Sequence, residues 1–313
     1  ALLADDDPEP HRWPDVPRAA WDPAARLAAM DDDGVDASVL YPTVAGLAGE
    51  ALGRLADPEL EQACVRAWND WLVEEWAAAS DRFVPQCLLP LWPPEAAVAE
   101  LERAVGLGHR GVVYPALPSS LRDVPDVGDP GYGRLWDAVA AAGVPVAFHA
   151  GGAPQLQAPP WAGFPPEVAD AFESVTRPFS SALVMANYLL SQLLVPHPDL
   201  MVVFAEDSVG WGAFTLETMD YLVQVDRLNV DTYPLLPSEV FARQCHLVGS
   251  YEPVRPDRDG KVRPERVLWA TNFPLGTSTW PASGEAVAAA LAPLPADERH
   301  LVLSANAERL YGA

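Results

Sequence analysis

Short runs of β-branched and other apolar residues alternate along the chain with longer segments in which apolar residues have helical spacing. Eight of these runs predict strands, at residues 1–5, 37–41, 83–89, 111–114, 144–149, 200–205, 245–249 and 267–271. Strands that alternate with helices form a parallel sheet with right-handed crossovers, and closing eight strands into a barrel removes both edges. We therefore predict an α/β fold, a (β/α)8 TIM barrel, as a single domain over residues 1–313.

Helical segments separate the predicted strands. They cover residues 22–33, 58–79, 94–107, 132–142, 178–195, 212–225, 237–244, 285–291 and 298–311. The segment 178–195 is long and mostly apolar, so we expect it to be buried between neighbouring elements. A doubly wound open sheet is the alternative, but no glycine-rich phosphate turn follows any predicted strand. The first predicted strand, residues 1–5, is equally compatible with a helix.

The charge balance of the chain limits its partners. There are 44 acidic and 20 basic residues, for a net charge of −24, and this repels nucleic acid. No apolar run is long enough to span a membrane, and no signal-peptide pattern is present. The three cysteines are Cys64, Cys87 and Cys245, without a metal-binding or redox spacing, so we expect reduced thiols. These features predict a cytoplasmic protein that acts on a small molecule.

Three polar residues stand where predicted strands end, the position at which barrel enzymes place their chemistry. His149 ends the run VPVAFH, Glu206 follows LMVVFA, and Asn272 follows VLWAT. We predict all three as catalytic residues at one mouth. Each also has a structural interpretation: His149 could cap a backbone carbonyl, Glu206 could pair with Arg177, and Asn272 could serve only the turn.

Aromatic residues are frequent near the segments that follow strands. Tyr41, Trp92, Tyr114 and Trp211 are candidates for a wall around an unsaturated or aromatic substrate. Core packing is the alternative explanation for such residues. We take these four as predicted substrate-binding residues.

Six stretches, in order and spacing, carry a family resemblance. They are WDPAARLAAMDDDGVDASVLYPT (21–43), AWNDWL with DRFVPQCLLPLWPPEAAVAELERAVGLGHRGVV (67–113), PVAFHAGG (145–152), HPDLMVVFAEDSVGW (197–211), RVLWATNFPLG (266–276) and SANAERLYG (304–312). The chain resembles the amidohydrolase-related metal-dependent hydrolases of the aminocarboxymuconate-semialdehyde decarboxylase type. Relatives of this kind are often dimers, so a homodimer is one expected state.

The resemblance implies a divalent metal site with altered ligands. Asp5 and Asp7 stand where the family has its first pair of metal ligands, and His149 and Glu206 would complete the set. The ion would be Zn, Mn or Fe, and a mostly oxygen ligand set suits Mn, Fe or Mg better than tetrahedral zinc. Asn272 replaces the family's aspartate, and an amide cannot accept a proton from metal-bound water.

Three functional interpretations remain open. The first is a hydrolase or carbon–carbon lyase, decarboxylase-like, that uses the altered metal site on a small unsaturated or aromatic carboxylic acid or an activated ester or thioester. The second is a metal-free isomerase, cyclase or decarboxylase on the same barrel, with acid–base work by His149 and Glu206. The third is a non-catalytic barrel that binds a ligand.

Overall fold

A computed structural model of the protein describes residues 13–149, 156, 158–205, 208–225, 233–254 and 260–312. Seven parallel strands form one sheet in chain order: β1 Ser38–Leu40, β2 Phe83–Leu88, β3 Gly111–Val113, β4 Val146–His149, β5 Val202–Ala205, β6 Cys245–Gly249 and β7 Val267–Trp269. Each lies within a predicted strand, which confirms the α/β, TIM-barrel type of fold. The predicted strand at residues 1–5 lies outside the described residues.

Helices connect the strands on one side of the sheet. Their bounds are α1 Pro23–Asp33, α2 Glu50–Gly53, α3 Pro58–Trp71, α4 Pro94–Leu107, α5 Gly133–Ala142, α6 Pro166–Leu190, α7 Gly210–Val225, α8 Pro237–Gln244, α9 Ser283–Ala290, α10 Ala296–His300 and α11 Asn306–Tyr311. Local chemistry sets several of these ends. The Asp22 side chain accepts a hydrogen bond from the amide of Ala25 at the start of α1, and Gly34 ends that helix with a φ of 71°.

The helix that follows β4 differs from the prediction. We expected a buried helix from residue 178 to 195, whereas α6 begins twelve residues earlier at Pro166 and contains Pro178 in its interior. Proline is favoured in the first turn of a helix, so its place in the interior of α6 departs from the usual pattern. Only one face of α6 is buried, with Val184, Met185 and Tyr188 on it. The expectation that this helix is buried between neighbouring elements is therefore met on one side only.

Side chains alternate between the two faces of the sheet. One set packs against the helices in the largest core cluster, for example Cys87, Val112, Val146, Val202, Cys245 and Val267. The set offset by one position packs inside the curled sheet, and includes Val84, Ala147, Val203, Val248 and Leu268. This period of two follows from strand geometry, so the parity of a residue decides whether it faces the interior or the helices.

The edges of the sheet, β1 and β7, are joined by side chains from neighbouring segments. The indole Nε1 of Trp280 donates to the carbonyl of Ala29 at 3.1 Å. The Ser283 hydroxyl donates to the Asp33 carboxylate at 2.6 Å, and the Ser283 amide donates to the same side chain at 2.9 Å. These bonds hold the start of α9 against α1, so the two ends of the sheet are linked in the described part of the chain.

Two further expectations concern the whole chain. Within the described ranges, no helix combines the length and the apolar character needed to cross a bilayer. Cys64, Cys87 and Cys245 are all free thiols, and the last two are buried. Burial raises the pKa of the Cys87 and Cys245 thiols well above the usual range, so neither is a reactive thiolate.

Candidate functional site

His149 is the last residue of β4, and its side chain has the parity of the interior set. The residue is buried, with 7% of its surface exposed. Its Cα is paired in register with that of Ala205, the last residue of β5. The imidazole therefore lies inside the curled sheet at the carboxyl ends of the strands, where TIM-barrel enzymes hold their reactive groups.

Tyr41 contacts His149 across the interior. Tyr41 directly follows β1, and its ring centroid lies 5.6 Å from that of His149 at an interplanar angle of 61°. Two strands separate β1 from β4 in the sheet. In a flat sheet the spacing of about 4.8 Å per strand would set them roughly 14 Å apart. Side chains from these strands meet because the sheet curls, so Tyr41 and His149 form one wall of a shared interior.

Tyr311, the last residue of α11, packs in the same interior and interacts with Tyr41, and it was missed by the sequence analysis. It is buried, with 5% exposed, and packs with the interior set. Burial raises its pKa well above the usual value, and a hydrogen bond and charge interaction with Tyr41 act in the same direction. The Tyr311 hydroxyl is therefore a neutral hydrogen-bonding group at physiological pH. Only the quoted stretch SANAERLYG pointed to this segment.

Asn272 lies in the turn after β7, at the same end of the sheet as His149. Its backbone is left-handed, with a φ of 56°, and its carbonyl accepts a hydrogen bond from the Leu275 amide at 2.9 Å. Asparagine tolerates this conformation better than most residues. Turn geometry is thus one reason for the asparagine. The residue is also half-buried, so its side-chain amide is partly accessible at the mouth.

The remaining predicted ligands cannot be placed. Asp5, Asp7 and Glu206 lie outside the described residues, although Glu206 follows Ala205, the register partner of His149, in the chain. Among the residues that the structure describes, no three His, Cys, Asp or Glu side chains are grouped closely enough to hold a metal ion. The predicted metal set thus has one described member, His149.

Glu252 is a second residue that the sequence analysis missed. It follows β6, and its Oε1 accepts a short hydrogen bond from the amide of Val209, just before α7. Its Oε2 is buried and has no hydrogen-bond partner among the residues that the structure describes. A carboxylate at a helix N-terminus is favoured by the helix dipole. Glu252 therefore fixes the residue at which the segment after β5 enters α7.

Three of the four predicted substrate-binding aromatic residues belong to the main core. Tyr114 is fully buried, and its hydroxyl donates to the Leu91 carbonyl at 2.8 Å. Trp92 packs edge-on against Tyr132, with ring centroids 5.4 Å apart, and Trp211 is buried at the first turn of α7. Tyr114 and Trp92 follow strands, but they lie in the layer between sheet and helices. Core packing accounts for the position of these three side chains without a bound ligand. Of the four aromatic residues, Tyr41 alone lies next to His149.

Comparison with known proteins shows which family and which characterised enzymes the chain is similar to. The profile of the family described as Amidohydrolase matches residues 7–224 and 261–313. A γ-resorcylate decarboxylase from Polaromonas sp. (strain JS666 / ATCC BAA-500) is 31% identical over 141 residues, which cover 44% of this chain and 42% of the relative. The chain thus matches less than half the length of that relative.

Solved structures share the fold at lower sequence identity. An amidohydrolase from Mycobacterium avium subsp. paratuberculosis K-10 superposes with a TM-score of 0.74 at 22% identity, over 96% of this chain and 77% of the other. A dihydroxybenzoic acid decarboxylase from Polaromonas sp. JS666, with bound manganese and the inhibitor 2-nitroresorcinol, gives 0.66 at 20% identity, over 92% and 85%. These superpositions show a common architecture.

Proposed function

From the premise that this chain belongs to the amidohydrolase family, we propose that it is a decarboxylase, a carbon–carbon lyase that acts on a hydroxylated aromatic carboxylic acid. The observation that carries the proposal is the placement of His149 and Tyr41 on one interior wall at the carboxyl ends of the strands. The name and substrate of the γ-resorcylate decarboxylase relative support the reaction class.

The wall suits an aromatic acid for physical reasons. Tyr41 offers a ring edge and face to a planar substrate, and Tyr311 next to it is a neutral hydrogen-bonding group. Aromatic rings pack favourably edge-to-face or offset, and a phenolic hydroxyl can pair with a substrate hydroxyl. A small hydroxylated ring thus finds both apolar and polar complements next to His149.

A divalent ion is part of the proposed site. Imidazole nitrogen is a common metal ligand, and His149 at the end of β4 fits that role. Asp5 and Asp7 are the proposed oxygen ligands, and a mostly oxygen set suits manganese or iron better than tetrahedral zinc. When bound, the ion would polarise the substrate carboxylate and its neighbouring hydroxyl oxygen.

Decarboxylation of an aromatic acid needs a proton at the ring carbon that carries the carboxylate. That proton adds to the ring, the carbon–carbon bond then breaks, and CO2 leaves while the electron pair restores the aromatic ring. The Asn272 amide can orient a substrate by hydrogen bonding, but it has no transferable proton. We therefore assign the proton transfer to Glu206, and the orienting contact to Asn272. In this role Glu206 does not ligate the ion, which His149, Asp5 and Asp7 would hold.

This arrangement favours lyase chemistry over amide hydrolysis. Amide hydrolysis needs a base to activate the water nucleophile, and Asn272 stands where the resemblance places that base. Loss of one such group commonly costs about 3 kcal/mol in the barrier, so the chain is expected to be a poor amidase.

The test is a direct assay of CO2 release. Purified protein is supplied with Mn²⁺ and assayed with γ-resorcylate and a panel of other hydroxybenzoates. Activity on at least one hydroxybenzoate is expected, with loss of at least about 100-fold in kcat/KM for His149→Ala and Glu206→Gln. A matched control is His300→Ala, which changes an exposed histidine on α10 and should leave turnover intact. Turnover of amides without any release of CO2 would refute the proposal.

A further inference from the structure

The short helix α11 crosses the amino end of the barrel, opposite the mouth. At its start, the Asn306 side-chain amide donates to the carbonyls of Pro264 and Val267 at 2.8 Å each, where the chain enters β7. After its end, the carbonyl of Gly312 accepts a hydrogen bond at 3.0 Å from Arg110, the residue before β3. Three strands lie between β3 and β7, so these two strands are on opposite sides of the curled sheet. The helix is therefore held at both ends across the opening at the amino ends of the strands.

The side chain of Tyr311 extends from this helix into the interior of the sheet. Its buried neighbours there come from the strands, are all aliphatic and are no larger than leucine: Val84, Ala147, Val203, Ala205, Val248 and Leu268. The interior of a TIM barrel is normally filled by layers of strand side chains. Protein interiors are close-packed, so the small strand residues leave room that the buried Tyr311 ring fills. A helix at the amino end thus supplies an aromatic ring to the interior below the mouth.

Tyr41 connects this ring to the candidate site. It packs against the buried cluster that contains Tyr311, and the two side chains share a hydrogen bond. That bond joins the two phenol hydroxyls, because the hydroxyl is the polar group of a tyrosine side chain. The Tyr41 ring in turn lies 5.6 Å from the His149 ring, measured between centroids. Tyr311, Tyr41 and His149 therefore form a continuous row from the amino end of the barrel to its mouth.

The Tyr41 ring depends on this hydrogen bond for a fixed orientation. Tyr41 follows Leu40, the last residue of β1, and it is only half-buried. Side-chain torsions move between separate staggered positions, so an unsupported ring at this place could turn away from His149. The backbone holds one end of the ring, and the bond to Tyr311 holds the hydroxyl at the other end. With both ends held, the ring keeps one orientation towards His149.

We propose that Tyr311 is a positioning residue for the candidate site, whose hydroxyl fixes the Tyr41 ring against His149 from the amino end of the barrel. Its effect on turnover rests on the proposed function, in which Tyr41 is the aromatic contact of the substrate. Its effect on the orientation of the Tyr41 ring depends on no reaction. Active-site groups need to be held within about 0.5 Å of their productive position, and a misplacement of about 1 Å can cost roughly 100-fold in rate.

Nuclear magnetic resonance of the full chain with labelled histidine measures the orientation of the Tyr41 ring. The ring current of Tyr41 displaces the His149 signal, which is identified by its absence in His149→Ala. Tyr41→Leu gives the full size of that displacement. Tyr311→Phe keeps the ring and removes the hydroxyl, so the variant should fold, and its His149 signal should move towards the position seen in Tyr41→Leu. Mg²⁺ is supplied throughout, because it causes no paramagnetic broadening.

Two further variants separate positioning from stability. Tyr41→Phe removes the other hydroxyl of the pair, so it should shift the His149 signal as Tyr311→Phe does, and the double variant should shift it no further. Tyr132→Phe is the matched control, because Tyr132 is buried in the main core and its hydroxyl donates to the Pro125 carbonyl at 3.0 Å. This control also loses a hydrogen bond of a buried tyrosine, but it should leave the His149 signal unmoved.

Turnover provides the second measurement. On a hydroxybenzoate that wild type decarboxylates, Tyr311→Phe should lower kcat by roughly tenfold, whereas Tyr132→Phe should retain the wild-type value. A His149 signal that does not move in Tyr311→Phe overturns the proposal, and so does an unchanged kcat in an active preparation. Wild type that releases no CO2 from any hydroxybenzoate contradicts the proposed reaction, while the His149 signal still decides the role of Tyr311.

Discussion

The guanidinium carbon of Arg26 lies 4.4 Å from the centre of the Phe273 ring. Arg26 belongs to α1, and Phe273 immediately follows Asn272 in the turn after β7. The same guanidinium lies 5.7 Å from the Trp76 ring, and its Nε donates to the carbonyl of Ala19 at 2.7 Å. Burial lowers the pKa of Arg26 to about 10, so it remains charged at neutral pH. A buried cation between two aromatic rings thus ties α1 to the turn that carries Asn272.

Arg26→Met should destabilise the protein while preserving most of the side-chain volume. The variant loses the cation–π contact and the bond to Ala19, and we expect the free energy of unfolding to fall by about 1–3 kcal/mol. Urea denaturation measures the change. Arg18→Met is the control, since Arg18 pairs with Asp22 at the surface and its side chain is 72% exposed. Equal losses of unfolding free energy in the two variants would show that the contacts of the buried Arg26 side chain do not stabilise the protein.

Asn272→Asp should increase the affinity for divalent metal. The left-handed backbone at this position accepts aspartate, and the new carboxylate adds negative charge at the mouth. Titration of chelator-treated protein with Mn²⁺ is expected to show at least about tenfold tighter binding than wild type, equivalent to 1.4 kcal/mol. Thr277→Asp adds the same charge at an exposed position of the same segment and should bind as wild type does. Wild type that already holds one zinc ion tightly and cleaves simple amides as fast as Asn272→Asp would show that the asparagine is irrelevant.

Tyr114→Phe distinguishes a core residue from a substrate-binding residue. Loss of the hydroxyl leaves the Leu91 carbonyl without its donor, which should cost about 1–2 kcal/mol in unfolding free energy, with kcat/KM unchanged. Tyr221→Phe, at an exposed position, should change stability by less than about 0.5 kcal/mol. A large drop in kcat/KM with unaltered stability would instead return Tyr114 to the substrate site.

His246 should make the stability of the protein sensitive to acid. It is buried in β6, with Arg266 Nη1 3.5 Å from its Nε2. Burial first, and then the charges of Arg266 and Arg309, lower its pKa from 6.5 to about 3. Between these values the unfolded chain binds a proton that the native chain excludes. The free energy of unfolding should therefore decrease as pH falls from 6.5 towards 3, by up to about 1.4 kcal/mol per pH unit.

The pH effect is measured as the difference between wild type and His246→Gln, because carboxylates titrate in the same range. Stability of the variant should fall less steeply with acid than that of wild type. His300→Gln, on the exposed surface of α10, should retain the wild-type slope. Parallel curves for wild type and His246→Gln would exclude a buried neutral histidine at this position.

The strands and the mouth could be predicted because they follow from local pattern. Apolar runs mark the strands, and in a parallel barrel the residue after each run lies at the mouth, which places His149 and Asn272 at one end. Tyr114 was assigned to the substrate wall by its distance from a strand end, whereas its parity directs it to the helices. A strand offers only two faces, and the family resemblance does not say which one a given aromatic residue uses.

Long-range features could not be predicted. Tyr311 reaches the interior from the far end of the chain, and Glu252 meets Val209 across 43 positions. Nothing in the local sequence encodes either contact. The sequence showed that α6 is mostly apolar. Composition alone does not say which side of this helix the rest of the chain covers. Asp5, Asp7 and Glu206 stay predictions, since they lie outside the described residues.

The bonds that join the two ends of the sheet have a consequence for how the chain is made. Trp280 to Ala29 and Ser283 to Asp33 link residues 251 and 250 positions apart. Contacts between residues so distant in sequence form late in folding. The conformational entropy of the long intervening chain has to be lost before the contact can stabilise the structure. At about 5–20 residues per second, a ribosome needs roughly 10–50 s to travel from α1 to α9. For that interval the Ala29 carbonyl and the Asp33 carboxylate lack their donors, so the barrel stays open between β1 and β7 until α9 has been made.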